Sequence, residues 1–211
     1  PDRCFVCPHT IDLPRFLVDS ELEEAKRAEL RTAVGANAHD VVVAFAGRLL
    51  AWKRPGQLLE AVARLPTRDR TLCLFIGGGE EESALRRDAA RAGVRAVFRG
   101  FVNQSEMPRT LAMADALVLP SNGRETWGLV ANEALASGTP VIVSDEVGCA
   151  PDLGALGVCH AYRGGDPDAL AAALAGNLAP RTALSAAGCR EAARSFAPEV
   201  SARAVTIAIA A

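Results

Sequence analysis

The chain has 211 residues, half of them hydrophobic, and a formal net charge of −2 at pH 7. This length suits one α/β domain, the balanced charge argues against a nucleic-acid partner, and no apolar run reaches the ~18 residues of a membrane span. Six cysteines are spread along the chain rather than packed into a disulfide framework, so we expect a reduced, cytoplasmic protein. Pro1 is not a natural first residue, so we expect the chain to be cut from a longer protein.

The N-terminal segment, residues 1–18, is predicted to be a short strand followed by a loop that prolines punctuate. Its Cys4-x-x-Cys7 pair has no second cysteine or histidine pair to complete a zinc site, so we expect no metal there. A helix is predicted over residues 20–34, because Ser20 and Glu23 have the spacing of a capping box.

The first buried strand is predicted over residues 41–46, VVVAFA. Arg48 and Lys53 follow its carboxyl end, and a helix is predicted over residues 55–65. Because ligands bind at the carboxyl edge of open α/β sheets, two cations there suit a diphosphate. The alternative is that both are solvated surface charges.

Two more strands are predicted over residues 72–76 and 94–100. A run of three glycines, residues 77–79, follows the first of them and precedes a helix over residues 80–92. The run lacks the spacing of a dinucleotide fingerprint or a P-loop, so we interpret it as allowing close backbone approach. A helix is then predicted over residues 105–114, with Ser105 as its cap.

The most informative stretch is residues 120–140, PSNGRETWGLVANEALASGTP. It follows a predicted buried strand, residues 116–119, and contains a predicted helix over residues 128–137. Glu133 lies four residues after Leu129, hence on the same helix face, and the helix start offers unpaired N–H groups and a positive dipole end. The pattern predicts an anion at the helix tip, hydroxyl groups on Glu133 and a further polar group near Glu125. The alternative is that both glutamates are ordinary surface carboxylates.

The C-terminal part predicts strands over residues 141–143 and 158–162 and helices over residues 166–178, 182–195 and 198–210. Asp166 is interpreted as a helix cap rather than a metal ligand, and Cys149 has no nearby histidine that would make it a nucleophile. Apolar strands alternating with helices predict a doubly wound parallel sheet of the Rossmann-like α/β class.

These motifs resemble the C-terminal, donor-binding domain of the family 4 retaining glycosyltransferases, which have the GT-B fold. The resemblance covers nearly the whole chain and rests on Glu125-x7-Glu133 with its flanks, on GRL and KR after the first strand, and on GFV at residues 100–102. It rests also on Pro8, Ile11, Asp12 and Phe16 of the N-terminal segment. The resemblance implies one half of a GT-B architecture.

The resemblance also implies residue roles. Arg48 and Lys53 would clamp the diphosphate as catalytic groups, and Glu125 would contact the donor sugar. Glu133 would bind the ribose, while the main chain near residues 101–102 would meet the base. The implied nucleotide-binding residues are Gly47, Gly78, Phe101, Val102, Thr126, Gly128, Leu129, Val130 and Glu133.

The implied activity is transfer of a sugar from a nucleoside-diphosphate sugar to an acceptor with retained configuration, without metal or cofactor, as in polysaccharide biosynthesis. A saccharide or lipid-linked acceptor would be bound by an N-terminal domain outside these residues, through which peripheral membrane association would also occur. Residues 1–18 would be interdomain linker and first strand, residues 19–197 the donor domain and residues 198–211 a C-terminal helix. We expect the fragment alone to be inactive.

Two other functions are weighed against this one. The chain could be a non-catalytic nucleotide-binding or interaction module, truncated or dependent on a partner. An NAD-type Rossmann oxidoreductase ranks last, because the G-x-G-x-x-G fingerprint does not follow the first strand.

Overall fold

A computed structural model of the chain describes residue 5, residues 7–178 and residues 185–210. Its centre is one parallel sheet of six strands. The strands are β1 (Val41–Ala46), β2 (Thr71–Ile76), β3 (Arg95–Gly100), β4 (Ala116–Leu119), β5 (Val141–Ser144) and β6 (Cys159–Tyr162). Their order in the sheet is β3-β2-β1-β4-β5-β6, which confirms the predicted doubly wound parallel sheet.

Helices connect the strands and cover both faces of the sheet. They are α1 (Leu13–Asp19), α2 (Glu24–Ala33), α3 (Gly56–Ala63), α4 (Glu82–Ala92), α5 (Met107–Ala112), α6 (Leu129–Ala136), α7 (Ala150–Ala155), α8 (Pro167–Asn177), α9 (Ala186–Ala193) and α10 (Pro198–Ala210). Among the described residues, no helix is both long and apolar enough to cross a membrane.

The core has two layers, one on each face of the sheet, because successive strand residues point to opposite sides. In β1, Val42 and Ala44 pack in the layer that α1, α5, α6 and α9 cover. Val43 and Phe45 pack in the other layer, under α3, α4 and α8. Since the inner strands β1, β2, β4 and β5 are buried on both faces, they are nearly continuous apolar runs, as the sequence predicted, whereas the edge strands β3 and β6 are only partly buried.

The sheet order reverses between β1 and β4, its two central strands. The chain runs outward from β1 through β2 to β3, then returns to place β4 on the other side of β1. Loops that leave β1 and β4 therefore diverge, and a crevice opens at their carboxyl ends, where ligands bind in folds of this kind.

Three local predictions are corrected. Residues 13–19 form helix α1, capped by Asp12, where a loop was expected. Ser20 ends α1 instead of starting the next helix, which begins after Glu23 without a side-chain cap. Ser105 does not cap α5, because its hydroxyl bonds the Asn103 side chain instead.

Some predictions fall on residues that the structure does not describe. Cys4 and one residue of the N-terminal strand predicted to begin at Phe5, residue 6, lie outside the described residues, as does the beginning of the helix predicted over residues 182–195. By contrast, Asp166 caps α8 as predicted, since its carboxylate accepts the N–H groups of Asp168 and Ala169.

Candidate functional site

A cleft of about 540 Å³ lies at the carboxyl ends of β1 and β4, where the strand order reverses. Its walls are the loop after β1, the loop after β4 and the first turn of α6. Many of the predicted site residues line it: Gly47, Lys53, Glu125, Thr126, Gly128, Leu129 and Val130. The fold thus brings together side chains that are more than 70 residues apart in the sequence.

The strongest contact in the cleft joins Lys53 and Glu125. Lys53 Nζ lies 2.7 Å from Glu125 Oε2, and both side chains are mostly buried. The buried Ser121 hydroxyl donates to the same oxygen at 3.1 Å. The ammonium also lies 4.8 Å from the centre of the Trp52 ring. A lysine ammonium has three N–H donors, so Lys53 can hold Glu125 and still donate to an anion in the cleft.

The start of α6 supplies backbone donors to the same cleft. Gly128 caps the helix with φ +91°, and a Cβ there would lie 2.5 Å from Leu119 Cδ2, so a side chain is excluded on both grounds. Among the described residues, the N–H groups of Leu129 and Val130 have no hydrogen-bond acceptor. An anion at this tip would meet two free N–H groups and the positive end of the helix dipole.

A second loop, after β5, packs against the loop that carries Glu125 and forms a hydrogen bond with it. Gly148 donates its N–H to the Glu125 carbonyl at 3.1 Å, and a Cβ on Gly148 would lie 1.8 Å from the Thr126 carbonyl oxygen. The adjacent Cys149 is fully buried, and burial raises the pKa of its thiol to about 12. This thiol is therefore protonated at neutral pH and packs as an apolar side chain, consistent with the expectation that it is not a nucleophile.

Glu133 lies one helical turn below the tip of α6, beside the exposed Leu129, as the spacing predicted. It is half-buried, and burial raises the pKa of its carboxyl above the ordinary value. The Gln104 amide opposes that shift by donating to Glu133 Oε1 at 3.3 Å, and the positive charge of Arg15 also opposes it.

The other predicted residues lie on the same edge of the sheet but outside the cleft wall. Arg48 is exposed and makes no ion pair or hydrogen bond through its side chain with the described residues. Gly78 follows β2, and its carbonyl accepts the Leu49 N–H at 3.0 Å. Phe101, just after β3, is 86% exposed, whereas Val102 is buried.

The predicted close approach of backbone at the glycine run is confirmed at two of its members. A Cβ on Gly77 would lie 2.1 Å from the Gly47 carbonyl oxygen, and one on Gly79 would lie 2.3 Å from that of Leu49. Side chains at these positions would push the loops after β1 and β2 apart. The run therefore shapes the edge on which the cleft lies.

Sequence reasoning missed an aromatic and polar wall of the cleft. Its members are His9, Trp52, Arg124 and Trp127. The His9 and Trp127 rings lie 5.3 Å apart. The fully buried Asn132 links them, because it accepts from the Trp127 indole at 3.3 Å and donates to the His9 carbonyl at 3.1 Å. The polar Asn132, on a helix whose only other polar side chain is Glu133, was the available signal for such a link.

Comparison with known proteins identifies the family. Residues 26–195 match the family model described as glycosyl transferases group 1. The chain is 34% identical over 201 residues to a D-inositol 3-phosphate glycosyltransferase of Nocardia farcinica, covering 90% of this chain and 43% of that protein. It is 34% identical over 206 residues to the enzyme of the same name from Geodermatophilus obscurus, with 91% and 44% covered. The chain thus spans less than half the length of these relatives.

Solved structures share the fold. Anabaena HepE in complex with UDP and glucose superposes with a TM-score of 0.78 at 22% identity, covering 95% of this chain and 55% of that one. Sucrose-phosphate synthase of Thermosynechococcus elongatus gives 0.75 at 25% identity, covering 95% and 50%. The six-stranded sheet matches one half of a GT-B glycosyltransferase. With most of its length matched by the family model, the chain belongs to the group 1 glycosyl transferases.

Proposed function

We propose that this chain is the donor-binding half of a retaining glycosyltransferase and binds a nucleoside-diphosphate sugar in the cleft between β1 and β4. The observation that carries the proposal is the convergence there of Lys53, Glu125 and the free N–H groups at the tip of α6. UDP bound to the similar Anabaena HepE supports a nucleoside diphosphate as the ligand.

Each part of the donor has a matching group. The diphosphate lies against the N–H groups of Leu129 and Val130 and against Lys53, with Arg48 folding over it from the exposed loop. The sugar hydroxyls bond Glu125, and the ribose hydroxyls bond Glu133. The base lies beside the main chain of residues 101–102.

The Lys53–Glu125 pair explains how a carboxylate can stand beside a diphosphate. Two negative groups in a half-enclosed cleft repel each other, and the ammonium 2.7 Å from Glu125 neutralises that carboxylate before the donor arrives. Lys53 then has donors left for the phosphate, while Ser121 and Lys53 together leave Glu125 Oε1 free to accept a sugar hydroxyl.

In the transfer reaction, these residues would stabilise the departing diphosphate. As the bond between sugar and diphosphate breaks, negative charge grows on the departing phosphate oxygens. Fixed positive groups, Lys53, Arg48 and the tip of α6, bind that charge more strongly in the transition state than in the bound donor. The acceptor is a saccharide or lipid-linked saccharide, bound by the part of the enzyme beyond these residues.

Calorimetric titration with UDP, GDP and ADP tests the proposal. We expect one of the three to bind, and Lys53→Met to weaken it by about ten- to over a hundredfold, since a charged hydrogen bond is worth about 1.5–3 kcal/mol. Lys26→Met is the matched control, because Lys26 forms an exposed ion pair with Glu29 far from the cleft. Equal affinity of Lys53→Met and Lys26→Met would contradict the assignment of the cleft.

A non-catalytic nucleotide-binding or interaction module is the second candidate. The same cleft supports it, because Lys53, Glu125 and the N–H groups at the tip of α6 account for binding of a nucleotide without requiring transfer. Joining the chain to an acceptor-binding domain of a relative and assaying sugar transfer separates the two. The proton NMR coupling constant of the product's anomeric position then reports whether configuration is retained.

A further inference from the structure

Glu133 has a partner that the proposed ribose contact does not explain. Gln104, in the loop between β3 and α5, donates its amide N–H to Glu133 Oε1 at 3.3 Å. The carbonyl end of the same amide accepts from Arg15 Nη2 at 3.3 Å. Gln104 thus stands between a cation on α1 and a carboxylate on α6, two elements separated by more than 100 residues of sequence.

The charges at its two ends fix the orientation of this amide. A guanidinium only donates hydrogen bonds and a carboxylate only accepts them. Turning the Gln104 amide over would place its NH₂ against Arg15 and its oxygen against Glu133, and both bonds would be lost. The side chain is therefore held in one orientation, with its N–H groups towards Glu133.

Arg15 is itself held in place from two sides. Its Nε lies 3.4 Å from Asp12 Oδ2, and its guanidinium lies 5.3 Å from the centre of the Phe16 ring. Phe16 is buried in the core, and Asp12 caps α1. Arg15 Nε has no hydrogen-bond partner among the described residues, so these two contacts place the cation beside α1 without a hydrogen bond from Nε.

An amide bridge occupies fewer oxygens of the Glu133 carboxylate than a direct ion pair with arginine would. Arginine pairs with carboxylates through two parallel bonds that occupy both carboxylate oxygens. Gln104 keeps Arg15 one side chain away and contacts Oε1 alone, and Oε2 has no hydrogen-bond partner among the described residues. The carboxylate is fixed in position and keeps one oxygen ready to accept.

We infer that Gln104 and Arg15 are positioning residues that hold Glu133 so that its free oxygen accepts a ribose hydroxyl, and that this bridge sets the preference for ribonucleotides. The inference rests on the proposed function and adds a specificity-determining pair to it. Arg15 orients Gln104, and Gln104 in turn positions Glu133.

The test is titration of wild type and Gln104→Leu with UDP, GDP and ADP and with the 2′,3′-dideoxy counterpart of each. Leucine preserves the approximate size of the side chain but cannot bridge. We expect Gln104→Leu to weaken the bound ribonucleotide by about three- to tenfold and the dideoxy compound by less than about twofold. Glu106→Gln, an exposed change in the same loop, is the control and should change neither.

Arg15→Met tests the order of action. On the wild-type background it should weaken binding of the ribonucleotide. On the Gln104→Leu background its effect should be smaller, because the bridge is already broken and only the direct effect of the Arg15 charge on Glu133 remains. Additive losses in the double variant would contradict the bridge. An equal loss for the ribonucleotide and the dideoxy compound in Gln104→Leu would also contradict it, since that pattern indicates a general structural effect.

A carboxyl NMR titration separates failure of the bridge from failure of the proposed function. It needs no nucleotide, and we expect the pKa of Glu133 to rise in Gln104→Leu because a bond that stabilises the charged form is lost. An unchanged pKa would contradict the bridge alone. Absence of binding by all three nucleotides to wild type would contradict the proposed function, and with it the role in specificity.

Discussion

The two ends of the central strands β1 and β4 both carry charged clusters, and the clusters differ in how completely the charges are paired. At the amino ends, Asp40 precedes β1 and Asp115 precedes β4. Arg31 Nη1 lies 3.0 Å from Asp115 Oδ2, Arg27 Nη2 lies 2.8 Å from Asp115 Oδ1, and Arg95 Nη1 lies 2.8 Å from Asp40 Oδ2. A backbone N–H from residue 37, then Arg95 and Arg31, hold the pKa of Asp40 below its ordinary value.

At the carboxyl ends, the pairing is incomplete. Lys53 and Glu125 form one ion pair, but Arg48 and Arg124 are exposed and form none with the described residues. The free N–H groups at the tip of α6 add to this positive excess. Removing one partner of a buried ion pair destabilises a fold, whereas a local excess of unpaired positive charge attracts a ligand of opposite sign. The comparison predicts that mutations at the amino ends change stability and that mutations at the carboxyl ends change binding.

The largest effect, a loss of folding stability, is expected from Arg31→Met at the amino ends of the strands. Arg31 is buried and donates to the carbonyl oxygens of Met113 and Asp40 as well as to Asp115. Its loss should lower the free energy of unfolding by about 2–4 kcal/mol, because two carbonyl oxygens lose their donor while Asp115 keeps its ion pair with Arg27. Urea unfolding measures the change.

Arg68→Met is the control for that variant, since its ion pair with Asp69 is exposed and should contribute under about 0.5 kcal/mol. The folded fraction of Arg31→Met should bind nucleotide with unchanged affinity. A loss of affinity there would show that the two ends of the strands are coupled, against the comparison.

The next effect is expected from Arg48→Ala at the carboxyl ends, and it should be confined to binding. We expect nucleotide affinity to fall by about ten- to over a hundredfold, from the loss of one charged contact to the diphosphate. Unfolding should be unchanged within about 0.5 kcal/mol, because the side chain is exposed. Arg87→Ala, exposed on α4, is the matched control, and unchanged affinity in Arg48→Ala would remove Arg48 from the clamp.

A smaller, pH-dependent effect is expected from Glu133. Burial raises the pKa of its carboxyl, so it takes up a proton at a higher pH than an exposed glutamate does. The charged form, which accepts ribose hydroxyls, is therefore lost as the pH falls from 7 through that raised pKa. We expect affinity to weaken as the pH falls below 7, and to do so at a higher pH than protonation of an exposed glutamate would cause.

Glu133→Gln isolates this contribution from protonation of the nucleotide phosphate, which both proteins share. The variant should show the shallower pH dependence. The same carboxyl should affect folding with the opposite sign. Since its folded pKa is raised, its ionisation costs free energy in the folded state, so its contribution to stability is greatest at low pH and is lost as the pH rises. Parallel pH profiles for wild type and variant would contradict both statements.

Local sequence signals predicted much of the fold. The inner strands β1, β2, β4 and β5 are apolar runs between turn residues, so their positions follow from burial on both faces, whereas the edge strand β3 carries Arg95 and Arg99. Helix α1 was missed although Asp12 and Pro14 are a start signal, because the prolines of that segment were interpreted as a loop. Helix α7 carries a similar signal in Pro151.

The candidate site was predicted less completely, for a physical reason. The sequence placed Lys53, Glu125 and Glu133 at one edge of the sheet, because parallel strands end together. The sequence did not predict the contact between Lys53 and Glu125 or the bridge from Arg15 through Gln104 to Glu133. These contacts join residues that are 29 to 89 positions apart, so they depend on loop conformation and side-chain orientation.

The smallest change in nucleotide affinity is expected from Phe101→Ala, and its size distinguishes two ways in which the protein could contact the base. Phe101 is 86% exposed on the loop after β3. If the base is contacted by main-chain atoms of residues 101–102, Phe101→Ala should change nucleotide affinity by less than about twofold. If the ring instead stacks on the base, the loss should be about five- to over a hundredfold, as base–aromatic stacking contributes about 1–3 kcal/mol. We expect the smaller change, since the buried Val102 holds the loop in place whichever side chain stands at 101. A large loss in Phe101→Ala would assign base recognition to the Phe101 ring instead of the main chain. The binding site at the carboxyl ends would then combine the positive excess with an exposed aromatic ring.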